Sequence, residues 1–175
     1  SFAQKYNLRV IEDAAHAFGS IYKNKIIGSF GDICCFSFDG IKNITSGEGG
    51  AIVTKDKKVI QRLKDIRLLG VSRDSENRYK NQRTWNLNVK EQGWRYHMSN
   101  IMAAIGIVQL KKLKFFQKKR KELAKYYQKL LKNVSKIEML DIDYNLITPH
   151  IFIIKVKNVN RDFIKTRLKS NDIQT

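Results

Sequence analysis

Two short apolar runs, ICCFSF and GAIVT, flank the segment DGIKNITSGEG, which places Lys42 among glycines at positions 40, 47 and 49. Neither run is long enough for a helix, and both are bounded by turn residues, so each reads as a strand. Upstream, LRVIED is a third short apolar run ending in two acids. That is the pattern of a buried parallel strand with polar groups at its carboxyl end. Short strands interleaved with helical periodicity commit the chain to an α/β architecture, and in open α/β sheets ligands gather at the carboxyl ends of strands.

Between the first two strands, GSIYKNKIIGSFGD carries the Gly and Asn punctuation of a hairpin or tight loops. After GAIVT, Asp56 is placed to cap a helix in which Val59, Ile60, Leu63, Ile66 and Leu69 keep i, i+3, i+4 spacing, with Gly70 closing it. Periodicity then disappears from Val71 to Gln92, the mark of a long functional or partner-contacting loop. Ser99 caps SNIMAAIGIVQLKKL, whose Ala103, Ala104 and Gly106 permit close packing. A second long helix is expected after it, following a bend. Around Asp141 to Pro149 the pattern changes to loop, strand (HIFIIKV) and a helix opened near Asn160. The expected division is residues 1–112 as part of a large domain, 113–134 as a connecting helix and 135–175 as the start of a smaller C-terminal α/β domain. Ser1 and the final RLKSNDIQT both read as cut edges of a longer protein.

The formal charge of +18, from 34 Lys and Arg against 16 Asp and Glu, invites a nucleic-acid reading. The basic residues are spread along the chain, however. The densest stretch places Leu113, Phe116, Leu123, Tyr127 and Leu130 at roughly helical spacing, so its charges read as one solvated helix face. No nucleic-acid partner is expected. No apolar run reaches the length of a membrane span, so the expected location is the cytoplasm, with no membrane partner. Cys34 and Cys35 are adjacent on a strand and point to opposite faces, which argues against a mutual disulfide or a two-cysteine metal site.

Lys42 lies just past the end of one strand and before another. A lysine that forms Schiff bases needs a partly desolvated site and a backbone that lets a planar cofactor approach. Taken alone, a loop lysine in so basic a chain is a surface lysine. Asp13, at the end of a buried strand, can hold the ring nitrogen of pyridoxal phosphate protonated or simply cap the following turn. His16, three residues on, can sit beside the same ring or be structural. Ser37 alternates with Phe36 and Phe38, projects to the opposite face, and can bind a phosphate or bond to backbone.

Taken in order, VIEDAAHAFGSIY, GSFGDICCFSFDGIKNITSGEGGAIVT and GWRYHMSNIMAAIGIVQL resemble the sugar aminotransferases of the DegT/DnrJ/EryC1/StrS family. The resemblance implies the PLP-dependent transferase fold of type I, with a mostly parallel central sheet in the large domain. It implies pyridoxal 5'-phosphate as cofactor and amino transfer from an amino acid, commonly glutamate, to a keto group of a nucleotide-linked sugar. It also implies a homodimer whose subunits share each active site. By position, Lys42 matches the lysine that binds the cofactor covalently and moves the substrate proton. Asp13 matches the partner of the pyridine nitrogen, His16 a Gln or His near the phenolic oxygen, and Ser37 a phosphate-binding serine.

Where many relatives read G-Y-N-Y-R-M, this chain reads GWRYHM. Arg95 thus replaces an Asn that reaches the phosphate of the neighbouring subunit, a role a guanidinium can also perform. His97 replaces an Arg. The charged loop from Arg73 to Arg95 is a candidate for the substrate's phosphates. A sugar dehydratase of the same fold is the nearest rival, but those enzymes carry histidine at the position of Lys42. A non-catalytic interaction module is the other rival, and it has no physical need for Lys42, Asp13 and Ser37 together.

Overall fold

The computed structural model describes residues 2–72, 80–82 and 87–175. A one-turn helix α1 (Phe2–Lys5) leads into β1 (Ile11–Asp13), a hairpin of β2 (Ile21–Tyr22) and β3 (Lys25–Ile26), then β4 (Ile33–Ser37) and β5 (Gly50–Thr54). Helix α2 (Lys57–Ile66), the long helix α3 (Asn100–Leu131), β6 (Ile137–Met139), β7 (Ile154–Val156) and α4 (Arg161–Lys169) complete the described elements.

β4 is the central strand of a sheet ordered β1-β4-β5. It runs parallel to β1, with Asp13 opposite Cys35, and antiparallel to β5, with Ser37 opposite Gly50. One of the two pairings is therefore parallel. β5 turns back because the lysine segment contains no crossover helix to bring the chain round to a parallel start. Gly50 has a local reason to be glycine, since a Cβ there would lie 2.5 Å from the Phe36 carbonyl oxygen. The β2–β3 hairpin turns on Lys23 and Asn24, both with positive φ (45° and 60°), the conformation that a two-residue hairpin loop demands.

Asp56 caps α2 by accepting from the amides of Lys58 and Val59. The helix ends at Ile66, earlier than the hydrophobic spacing predicts. Leu69 has φ 63° and is exposed rather than on the apolar face, and Gly70, at φ 75°, donates its amide to the Asp65 carbonyl. The backbone turns over here because Gly93 packs against Gly70 and leaves no room for a further helical turn. Ser99 caps α3 through the Met102 amide, and the helix then runs unbroken for 32 residues. The expected bend after Leu113 is absent, as the segment contains neither Pro nor Gly beyond Gly106 to interrupt the hydrogen-bond ladder. Beyond it, β6 and β7 pair antiparallel, and Asn160 caps α4 as the sequence predicts. No helix among the described residues is long and apolar enough to cross a membrane.

Candidate active site at Lys42

β1 and β4 run in the same direction, so Asp13 and Ser37 emerge at the same end of the sheet. Asp13 sits opposite Cys35, and Ser37 follows two residues later on the same face, one pleat further along. Phe36 and Phe38 turn to the other face and meet Phe18 edge-on, with centroids 5.0 and 5.5 Å away. The strand alternation inferred for Ser37 is the one observed.

The chain beyond β4 is shaped by short side chains bonded to their own backbone. Ser37 Oγ accepts from the Asp39 amide, Asp39 Oδ1 from the Ile41 amide, and the Lys42 amide donates to the Asp39 carbonyl. Turns of this kind are what Ser and Asp favour. Lys42 is consequently lifted off the strand end and half-buried. Its Nζ lies 2.9 Å from His16 Nε2. The exposed Asp13 carboxylate accepts from the Ala15 amide at 3.1 Å, so the local capping role is real, and its second oxygen has no ion-pair partner among the described residues.

Behind Lys42 the loop is fastened by groups that the sequence reading did not single out. Asn43, 4% exposed, donates to the carbonyls of Phe18 and Thr148. Gln117, on α3, donates to the Gly19 carbonyl and to Thr148 Oγ1. Arg120, one turn further on, reaches the carbonyls of His150 (3.2 Å), Pro149 (3.4 Å) and Lys42 (3.4 Å). The His150 ring lies 4.0 Å from that of His16 between centroids. Burial first, then the nearby His16, Lys42 and Arg120, holds the His150 pKa below the usual imidazole value. The available sequence signal was modest: one of three Gln and the single Arg of a lysine-rich helix, both on its less charged side, and a Thr-Pro-His just ahead of an apolar strand.

Arg95 is placed elsewhere. It is exposed on an extended segment that runs alongside the end of α2, where the Leu69 amide donates to the Trp94 carbonyl and the Tyr96 amide to the Arg67 carbonyl. Asp13, His16, Ser37 and Lys42 thus lie at and just beyond the ends of β1 and β4, with His16 and Lys42 in contact, whereas Arg95 and His97 lie on the segment that runs beside α2. Much of the charged Arg73–Arg95 loop lies outside the described residues. On the opposite face of β1, Glu12 adjoins Cys34, and burial followed by the Glu12 charge pushes that thiol up to about 11.

A model of the DegT/DnrJ/EryC1/StrS aminotransferase family matches residues 1–175. The chain belongs to that family. Among individual family members, the UDP-4-amino-4,6-dideoxy-N-acetyl-beta-L-altrosamine transaminase of Campylobacter jejuni is 37% identical over 153 residues, covering 87% of this chain and 39% of that protein. Helicobacter pylori PseC, an aminotransferase involved in the biosynthesis of pseudoaminic acid, superposes with a TM-score of 0.85 at 29% identity, covering 97% of this chain and 45% of PseC. A putative sugar aminotransferase from Streptococcus pneumoniae, solved in its PLP form, gives a TM-score of 0.83 at 25% identity over 99% of this chain and 45% of that one. The fold is that of the PLP-dependent sugar aminotransferases, type I, as the DegT/DnrJ/EryC1/StrS resemblance implies. The chain spans less than half the length of these relatives.

The donor set at the sheet end fits pyridoxal phosphate, the cofactor of the family. It offers one half-buried amine, one carboxylate with an uncommitted oxygen and one serine hydroxyl on the same sheet face. In addition, His150 Nδ1 beside them is buried without a hydrogen-bond partner.

Proposed function

We propose that the protein is a PLP-dependent aminotransferase that moves an amino group from an amino acid, with glutamate as donor, to a keto group of a nucleotide-linked sugar. One observation carries this reading: the Lys42 amine is held 2.9 Å from His16 at the strand ends that also present Asp13 and Ser37. A surface lysine has no reason to be drawn into such a grouping. The transaminase of Campylobacter jejuni and PseC support a sugar substrate, with an amino sugar as the product of the transfer.

When bound, pyridoxal phosphate supplies an aldehyde carbon for amine exchange and a ring that draws electrons from the substrate carbon. Lys42 would hold the cofactor through Nζ, and once displaced by the donor amine would move the proton at the substrate carbon, a general acid–base role. The Asp13 carboxylate would keep a proton on the ring nitrogen, using the oxygen that Ala15 leaves free. Ser37 would donate its hydroxyl to the phosphate. Arg95, exposed on the segment beside α2, would serve the phosphate of a neighbouring subunit in a homodimer, as its place in the family motif implies.

Mass spectrometry of the sugar product after incubation with 15N-glutamate and a nucleotide-linked keto sugar tests the reading. Transfer of the label to the sugar is the expected result, and Lys42→Ala should abolish it. A dehydrated sugar without the label would replace amino transfer with dehydration.

A further inference from the structure

We propose that His150 is a positioning residue for Lys42, acting through the ring of His16. Two contacts carry this. The His150 ring packs on His16 with centroids 4.0 Å apart and planes inclined by 33°. His16 in turn presents Nε2 to Lys42 Nζ at 2.9 Å. A histidine at the mouth of a site turns freely about its side-chain bonds, and a flat neighbour against one face restricts it to the orientations in which Nε2 meets the amine.

The arrangement is fixed by a clamp of its own. Arg120 donates through Nη1 to the carbonyls of Pro149 and His150 and through Nη2 to that of Lys42, so one guanidinium joins the lysine loop to the histidine segment. Its planar fork suits this, because donors in fixed directions set the separation of the two backbones. Thr148, 1% exposed, anchors the other end of the segment, with its amide on Ser20 Oγ and its hydroxyl on the Gly19 carbonyl. His150 is therefore fixed through its own carbonyl on Arg120 and through Thr148 two residues before it, while its Nδ1 stays buried and unpartnered. An imidazole kept so short of partners favours the neutral form, which packs against a second imidazole without charge repulsion.

The consequence for turnover rests on the function proposed above; the positioning itself does not. Two variants separate the ring from its nitrogens. His150→Phe keeps a flat face against His16, whereas His150→Ala removes it. In the cofactor-free protein, acylation of Lys42 relative to the exposed Lys129 is read by peptide mass spectrometry under limiting reagent. His150→Ala should change that ratio about threefold or more, while His150→Phe stays within about twofold of wild type, as lost restriction of a side chain contributes on this scale. In the loaded enzyme, His150→Ala should lower kcat about tenfold with KM nearly unchanged, the signature of a misplaced acid–base group. An unchanged labelling ratio in His150→Ala overturns the inference. So does an equal change in both variants, which would assign the effect to the nitrogens instead of the ring. Normal labelling shifts in a protein that never takes up pyridoxal phosphate would refute the proposed function and leave the positioning standing.

Discussion

The two sides of the β1-β4-β5 sheet end differ in how they are finished. Around Lys42, the segments 18–20, 43, 117–120 and 148–150 close on one another through buried and half-buried hydrogen bonds. Alongside β5 and α2, an open groove lined by Cys35, Ile52, Ile60, Leu63 and Trp94 presents apolar side chains, with Ile52 49% and Trp94 46% exposed. The first region is held by directional bonds whose partners are specified one by one. The second is held by the strand ladder, the α2 cap, backbone bonds between the end of α2 and residues 94–96, and exposed ion pairs such as Arg62–Glu91. A lysine that must keep one orientation belongs in the first kind of setting, because an unmade bond in a buried network costs more than a lost contact in an open groove.

Breaking the network should produce the largest effect. Asn43→Ala leaves the Phe18 and Thr148 carbonyls without this donor in a buried setting, at an expected cost of roughly 2–3 kcal/mol in urea unfolding. Thr148→Val removes the hydroxyl shared by Gln117 and Gly19 while keeping shape, and should cost about 1–2 kcal/mol. By contrast Ile52→Thr in the groove should stay within about 0.5 kcal/mol of wild type. Equal losses at the two places would remove the distinction.

Acid sharpens the same contrast. The pKa of His150 is depressed in the fold, so the unfolded chain binds the extra proton first. Its contribution to stability is present above its ordinary value of 6.5 and is lost as the pH falls through the lower folded value. Thermal melts should show this loss below that pH, and His150→Phe should reduce it. The smallest effect concerns the thiols. Cys35 lines the groove, whereas Cys34 is fully buried and its pKa is pushed up to about 11. Iodoacetamide at neutral pH should therefore label Cys35 well ahead of Cys34.

What was legible in the sequence was local. The strand runs, the caps at Asp56, Ser99 and Asn160 and the hairpin or tight loops of GSIYKNKIIGSFGD each depend on residues within a few positions and each is found, although β1, expected to be buried, is largely exposed. Asp13, Ser37 and Lys42 were legible as members of an ordered motif. Leu69 was misplaced because hydrophobic spacing continued past the point where Gly93 packs against Gly70 and ends the helix. The fastening of the lysine loop was out of reach for the same reason. Asn43 meets Thr148 across 105 positions and Thr148 meets Ser20 across 128, and no periodicity links residues so far apart. Arg120 was hidden among lysines of the same charge, and only its three carbonyl partners distinguish it.

The most direct test is to load the purified protein with pyridoxal phosphate, reduce it with borohydride and map the modified peptide. The account predicts a pyridoxyl group on Lys42, lost in Lys42→Ala. Trapping at another lysine, or trapping that survives Lys42→Ala, would contradict it.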